Sequence, residues 1–205
     1  MSEGINLFEV FNAVSGALQD QRDTLNAADD HNQNHGDNMV QIFEVITKAM
    51  KEKQGADPAD QLQYASDLLR QASDSGSAQM YVRGLASAAQ EVQGKGLSLE
   101  SVVPIVQNLL NGGEAAPAAD AGDMIGSLLS GLTGGEGDGD SGLDAGDLLN
   151  AGMAFLQSRQ SGDSNLEALA DALVSNSAMG QSSHRSQSGQ VVTNTILQLL
   201  SGLGK

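Results

Sequence analysis

Apolar residues recur at intervals of three and four positions along most of this 205-residue chain, and this spacing is the strongest constraint on its fold. Such intervals place side chains on one face of an α-helix, whereas a half-buried strand alternates with a period of two. No long stretch of the chain alternates in that way. In the first apolar segment, residues 5–28, the predicted face comprises Leu7, Val10, Phe11, Val14 and Leu18. The spacing therefore predicts an all-α protein.

Large aromatic side chains are scarce, since they make up 3% of the residues and Trp is absent. A core without them consists mainly of Leu, Ile, Val, Met and Ala, which favours packed helices over a β-sandwich. Short connections in such a protein predict antiparallel neighbours, and we expect a barrel or bundle of about eight helices. The predicted helices are 5–28, 38–53, 57–72, 77–92, 98–110, 121–132, 143–158, 166–174 and 190–203.

Several helix ends carry recognisable signals. Asp57 and Pro58 predict the start of the third helix, because Asp is a good N-cap and Pro is tolerated in a first turn. Asp37 is placed to cap the second helix. A polar break is predicted over 175–189. We expect one domain over 1–205, with a Gly/Ala/Asp-rich linker or insertion at about 112–142.

The charge balance excludes several classes of function. The chain has 26 acidic and 10 basic residues, a formal net charge of -16. Nucleic acids and anionic membranes need a basic surface, so neither is an expected partner. Cys is absent, which excludes disulfides, thiolate metal sites and a Cys nucleophile. With no signal peptide or membrane-spanning segment evident, we expect a cytoplasmic protein.

A dense polar cluster, residues 29–39, lies between the first two predicted helices. It combines carboxylates with His31 and His35, which are typical metal ligands, ahead of a helix N-terminus that favours phosphate. Two positions inside it, Asn32 and Asn34, are amides instead. An amide oxygen can coordinate a cation but brings no negative charge to it. The carboxylates of the cluster are Asp29, Asp30 and Asp37.

Three segments resemble motifs of the dihydroxyacetone-kinase L-subunit (DhaL-like) family. Residues 32–45, with His35-Gly36-Asp37-Asn38-Met39 and Phe43, are similar to the family's Asp-x-Asp-His-Gly-x-Asn-Met…Phe-x-Ala-Val motif. Residues 76–81 resemble its Gly-Ala-Ser-Gly…Leu-Tyr-Gly loop, and residues 184–194 resemble its Gly-His-x-Asp-Pro-Gly segment before the last helix. The resemblance covers most of the chain.

The resemblance implies an antiparallel barrel of eight helices that holds ADP or ATP at one rim. In that family Asp residues bind magnesium ions, which bridge the protein to the diphosphate. The implied cofactor-binding positions in this sequence are Asn32, Asn34, His35, Gly36, Asn38, Met39, Gly76, Ser77, Ala78 and His184. The implied metal ligands are Asp29, Asp30 and Asp37.

The departures from the motif bear on activity. Asn32 and Asn34 occupy the positions of two motif aspartates, and the late segment lacks the family's Asp and Pro. Each amide removes one negative charge that would face Mg²⁺ and phosphate, so metal affinity should fall. We therefore expect a homologue without phosphotransferase activity that serves as a binding or interaction module, with a protein partner or another subunit.

Two alternatives stay open at this cluster. A working site could be rebuilt from its remaining carboxylates with His31 and His35, which would make the chain an ADP/ATP–Mg binding phosphotransferase component. In the family that role needs a separate substrate-bearing subunit or domain. Alternatively, the cluster is a capped polar turn without any ligand. Ser183 and His184 lack a placed acid partner, so nucleophilic catalysis is not expected there.

A glycine-rich acidic stretch, residues 136–147, resembles a twelve-residue EF-hand-type calcium loop. Acidic side chains stand at loop positions 1, 3, 5, 9 and 12, and oxygen ligands from alternate positions suit Ca²⁺. Ser141 replaces the turn-forming Gly at position 6, which favours a plain acidic connector instead. In this alternative the chain is an acidic structural protein. The candidate calcium ligands are Glu136, Asp138, Asp140, Asp144 and Asp147.

Overall fold

The computed structural model describes residues 5–95, 97, 99–113, 170–171, 173–175 and 177–203. Within these residues the protein is all-helical and contains no strand, which confirms the predicted fold class. The elements are α1 (Leu7–Ala27), α2 (His35–Glu52), α3 (Pro58–Ala72), α4 (Gly76–Val92), α5 (Leu99–Asn111), a 3-10 helix (Ala178–Gln181) and α6 (Ser183–Leu203). None of the helices in this part of the chain is both long and apolar enough to cross a membrane.

Side-chain caps define the starts of three helices. Asn6 caps α1 by accepting from the backbone N–H of Phe8 at 3.1 Å. Asp57 caps α3 by accepting from Ala59 at 3.0 Å, with Pro58 as the first helical residue. These hydrogen bonds satisfy backbone donors that have no partner inside a helix. The predicted start of the third helix is therefore confirmed.

Two predicted helix starts are wrong. The second helix begins at His35 rather than Asn38, so Asp37 lies inside its first turn and Asn34 occupies the N-cap position. The last helix begins at Ser183 rather than Gln190, and the 3-10 helix occupies part of the predicted break. Gly189 signals a break in sequence, but in the structure it allows close packing. A Cβ there would lie 3.3 Å from Met179 and from Val174.

Helices that follow one another in sequence pack against each other. The helix α1 packs on α2, α2 on α3, α3 on α4 and α4 on α5, and α6 returns to pack on α1. A buried hydrogen bond of 2.8 Å from the Ser66 hydroxyl to the Val82 carbonyl links α3 to α4. The aliphatic faces predicted from the spacing point inward, and the apolar face of α1 is buried over its whole length.

A small aromatic cluster lies among the aliphatic side chains of the core. The ring of Phe43 stands edge-on to Tyr81, with centroids 5.0 Å apart, and lies 6.2 Å from Phe11. The Tyr81 hydroxyl donates to the sulfur of Met179 at 3.8 Å, and burial raises the pKa of Tyr81. Sulfur is a weak acceptor, so packing holds this ring in place more than its hydrogen bond does.

The helix α5 ends at Asn111, one residue beyond the predicted end at Leu110. Gly112 and Gly113 follow with φ of 61° and 73°, a conformation that glycine adopts without steric cost. The predicted insertion at about 112–142 begins at this point, and residues 114–169 lie outside the described residues.

Candidate functional site

The turn between α1 and α2, residues 28–34, is organised by Asp29. One carboxylate oxygen of this buried side chain accepts from the His31 backbone N–H at 3.1 Å, and the other accepts from Asn34 at 3.3 Å. The hydrogen bond from His31 lowers the pKa of Asp29 below its ordinary value, although burial opposes it. Asp29 therefore acts within the turn as an ionised acceptor for backbone amides.

The two amides that replace the motif aspartates are exposed. The Asn34 side-chain oxygen accepts from the amide group of Asn38 at 2.9 Å, and the Asn32 oxygen accepts from the Asn34 backbone at 3.4 Å. Both side chains thus serve the turn and the start of α2. Asp30 is exposed as well.

Asp37 connects the first turn of α2 to the last turn of α1. Its carboxylate accepts from the side-chain amide of Asn26 at 3.2 Å and lies 3.7 Å from the Nε of Arg22. Its backbone N–H donates back to the Asn26 side chain at 3.1 Å. Asp29 and Asp37 therefore have different partners. Nowhere in the described ranges do three His, Cys, Asp or Glu side chains form a group that could hold a metal ion.

The side chains of this turn can be compared with those that hold magnesium and diphosphate in the DhaL-like family. Such a group is held by several carboxylates that converge on the metal. Here the two central positions are amides, Asp29 accepts from backbone amides, and Asp37 faces Arg22. The described residues do not fit a carboxylate-held magnesium ion.

His35 begins α2 and is the buried polar centre of the site, with an exposed fraction of 4%. Its Nε2 lies 2.9 Å from the hydroxyl oxygen of Ser188, a residue 153 positions away. Its ring also meets that of His184 edge to face, with centroids 4.8 Å apart. These contacts join two segments that lie far apart in the sequence.

The protonation of His35 follows from these neighbours. Burial lowers the pKa of His35 to about 4, the charges of His184 and Arg185 lower it further, and Asp29 opposes them. The Ser188 hydroxyl donates to the Arg185 carbonyl at 3.0 Å, so its oxygen is left to accept from His35. This pair of hydrogen bonds assigns a neutral imidazole with its proton on Nε2.

The second motif segment, residues 76–81, lies in the first turns of α4. The Ser75 hydroxyl caps the helix by accepting from the Ala78 backbone N–H at 3.2 Å. Ser77 and Ala78 are buried, whereas Gly76 is exposed. A Cβ on Gly76 would lie 3.3 Å from the Nη2 of Arg185, two residues beyond Ser183 at the start of α6. The start of α4 is thus adjacent to the start of α6.

The structure therefore brings the three motif segments together at one end of the helices. His35 contacts His184 and Ser188, and Gly76 lies beside Arg185. Of the other predicted site residues, Met39 is a fully buried core residue and Asn38 is half-buried. The candidate calcium ligands at 136–147 lie outside the described residues.

A cavity of about 330 Å³ adjoins this cluster, and sequence reasoning missed most of it. It lies between the starts of α4 and α6, the end of α5 and the 3-10 helix. Its lining residues are Gly76, Gln79, Met80, Arg83, Asn111, Ala178, Gln181 and Arg185. Only Gly76 among them is a predicted site residue, although Gln79 and Met80 lie within the motif segment 76–81 and Arg185 lies within the motif segment 184–194. We call this space the arginine cavity, because two arginines line it.

Comparison of the chain with protein-family models, with curated proteins and with solved structures gave no match.

Proposed function

We propose that this chain is a divergent DhaL-like helical domain that binds a partner molecule at its motif end and does not transfer phosphate. The observation that carries the proposal is the meeting of three distant motif segments around His35, His184 and Gly76. A chance resemblance of short motifs would not require those segments to lie together. The return of α6 to α1 is also in keeping with the family's closed ring of helices.

The absence of phosphotransfer is argued from the turn at residues 28–34. In the family the metals neutralise the charge that develops on the transferred phosphoryl group. Amides at Asn32 and Asn34 bring no charge for such metals, and Asp29 is engaged by two backbone N–H groups. His35 is neutral, so it supplies no positive charge in place of the metal ions. The arrangement keeps a preformed polar site while it removes the electrostatic part of catalysis.

The test is a thermal-shift measurement with Mg²⁺ and ADP or ATP at millimolar concentration. We expect the wild type to shift by less than about 1 °C, because stabilisation by a ligand stays small when its concentration is well below Kd. The double variant Asn32→Asp/Asn34→Asp should gain a magnesium-dependent shift of several degrees, because it restores two carboxylates to the turn.

A matched control separates this gain from a general effect of charge. Asn12→Asp/Gln93→Glu adds the same two charges at exposed positions outside the motif segments, and it should gain no nucleotide response. A shift of several degrees in the wild type, abolished by EDTA, would instead show magnesium–nucleotide binding and favour the competing function of a phosphotransferase component.

A further inference from the structure

The arginine cavity has the size of a small-molecule site and is partly open to solvent. Its volume of about 330 Å³ is at the lower end of the range of roughly 300–1,000 Å³ that is typical of ligand pockets. Four separate elements contribute to its wall, so its shape depends on the packed fold. Among the described residues no carboxylate lines it, although the chain as a whole has a formal net charge of -16.

The two arginines of the cavity lack acidic partners. Arg22 and Arg70 each form an ion pair with an aspartate, whereas no ion pair within the described residues includes Arg83 or Arg185. The exposed Arg83 and the half-buried Arg185 line one cavity without a counter-ion among the described residues, so their charges weakly repel each other. An anion between them would remove that repulsion.

The surroundings of Arg185 also favour an anion in the cavity. Among the described residues its Nε is buried without a hydrogen-bond partner, and its Nη1 contacts the sulfur of Met80 at 3.6 Å. Its Nη2 approaches the first turn of α4, where the helix dipole already favours negative charge. Arg185 as a whole is half-buried, and a partly desolvated cation with unused donors is costly, because each lost hydrogen bond to water has to be replaced.

Further donors surround the same space. Arg83 uses its Nε to donate to the Gly112 carbonyl at 3.1 Å, and its terminal nitrogens make no hydrogen bond within the described residues. The Asn111 oxygen accepts from the Ala178 backbone at 3.2 Å, which leaves its NH₂ group as a donor. The first backbone N–H groups of α4 have no intrahelical acceptor.

We propose that the arginine cavity binds the phosphate group of a small phosphorylated molecule without a metal ion, through the guanidinium groups of Arg83 and Arg185. Paired N–H donors of arginine match phosphate oxygens, and the amides of Gln79, Asn111 and Gln181 supply neutral donors around them. The protein's own cations take the place of magnesium, which explains how a site can work beside a turn without the motif aspartates. The inference rests on the proposed binding function and names its ligand class.

The test uses inorganic phosphate as the probe, in the presence of EDTA and at constant ionic strength. We expect phosphate at about 10 mM to raise the Tm of the full chain by about 2–5 °C relative to chloride. In titration calorimetry, Arg185→Gln and Arg83→Gln should each weaken phosphate binding at least about tenfold. Arg70→Gln is the matched control, since it removes an exposed arginine paired with Asp67, and it should bind phosphate like the wild type.

A second measurement guards against a variant that merely fails to fold. In phosphate-free buffer Arg185→Gln should have a Tm at least equal to that of the wild type, because it removes an uncompensated cation beside Arg83. A Tm lowered by more than about 5 °C would show that Arg185 is a structural residue and would overturn the proposal. So would stabilisation by malonate without stabilisation by phosphate, or an equal phosphate response of Arg185→Gln and Arg70→Gln.

The two proposals fail in different ways. One result would overturn only the phosphate site: the wild type does not bind phosphate in EDTA, whereas the variant Asn32→Asp/Asn34→Asp gains magnesium–nucleotide binding. A wild type that binds magnesium–ADP overturns the absence of phosphotransfer, while phosphate binding in EDTA would still support the arginine cavity.

Discussion

Gly36 is the position at which the backbone of α2 comes against that of α1. A Cβ on this residue would overlap the carbonyl oxygen of Arg22 and lie 2.9 Å from the side-chain oxygen of Asn26. The first of these neighbours is helical backbone, which cannot move aside without disturbing α1. The glycine is therefore needed for the close approach that places His35 in the buried site.

We expect Gly36→Ala to lower the free energy of unfolding by about 3 kcal/mol, because overpacking against backbone forces the helices apart. Gly16→Ala is the control, since Gly16 lies inside α1 with no atom within 4 Å of its Cβ position. It should raise the free energy of unfolding by about 0.5–1 kcal/mol through helix propensity. Urea unfolding followed by circular dichroism compares them, and similar effects of both changes would refute the close approach.

At the residue scale, the sequence marks several members of the site but not what they do. His35 and Gly36 stand out through a motif, whereas Ser188 lies in a segment that looks like a polar break. Arg83 lies outside the three motif segments, and Arg185 lies within residues 184–194 at a position that the motif leaves open. Their shared role depends on a cavity formed by four elements, and spacing along the chain contains no information about it.

At the element scale, the starts of α3 and α4 show how local chemistry positions the site. Asp57 and Ser75 each accept from a backbone N–H two or three residues ahead, at 3.0 and 3.2 Å. Both caps lie within reach of sequence-based prediction, because the interacting groups are near neighbours in the chain. The start of α4 in turn contributes Gly76 and its backbone donors to the arginine cavity.

Asp57→Ala should lower the free energy of unfolding by about 1 kcal/mol, since it leaves the Ala59 N–H without its capping acceptor. Asp60→Ala removes the same charge from the first turn of α3 but no capping hydrogen bond, so we expect a loss of a few tenths of a kcal/mol. Chemical denaturation of the two variants measures the difference. Equal losses would mean that charge, and not the cap, determines this helix start.

At the scale of the whole molecule, burial of a neutral histidine makes stability depend on pH. The folded pKa of His35 is about 4 against an ordinary value of 6.5, so the unfolded chain binds more protons between these values. Stability is therefore fully present above pH 6.5 and falls as the pH drops towards 4. The lowered pKa of Asp29 acts in the same direction at lower pH.

We expect this linkage to cost on the order of 2 kcal/mol between pH 7 and pH 4, after allowance for solvent screening at the end of the helices. Urea unfolding at several pH values measures it. His35→Gln should lose most of the slope, whereas His31→Gln, which alters an exposed histidine of the same turn, should keep it. The carboxylates become protonated in all three proteins alike. The difference between their slopes of stability against pH therefore measures the contribution of His35. A slope unchanged in His35→Gln would contradict the neutral buried form.

The sequence by itself determined the all-helical class, the apolar faces, the first and third to fifth helices within a few residues, and the cap of α3. These features depend on groups within about four positions of each other, and the periodicity of a helix records them directly. Only the tertiary structure decided that α6 begins at Ser183, that His35 is neutral beside Ser188, and that Arg83 and Arg185 face one cavity. Those facts depend on burial and on charges brought together across 153 positions of chain, which no local pattern encodes.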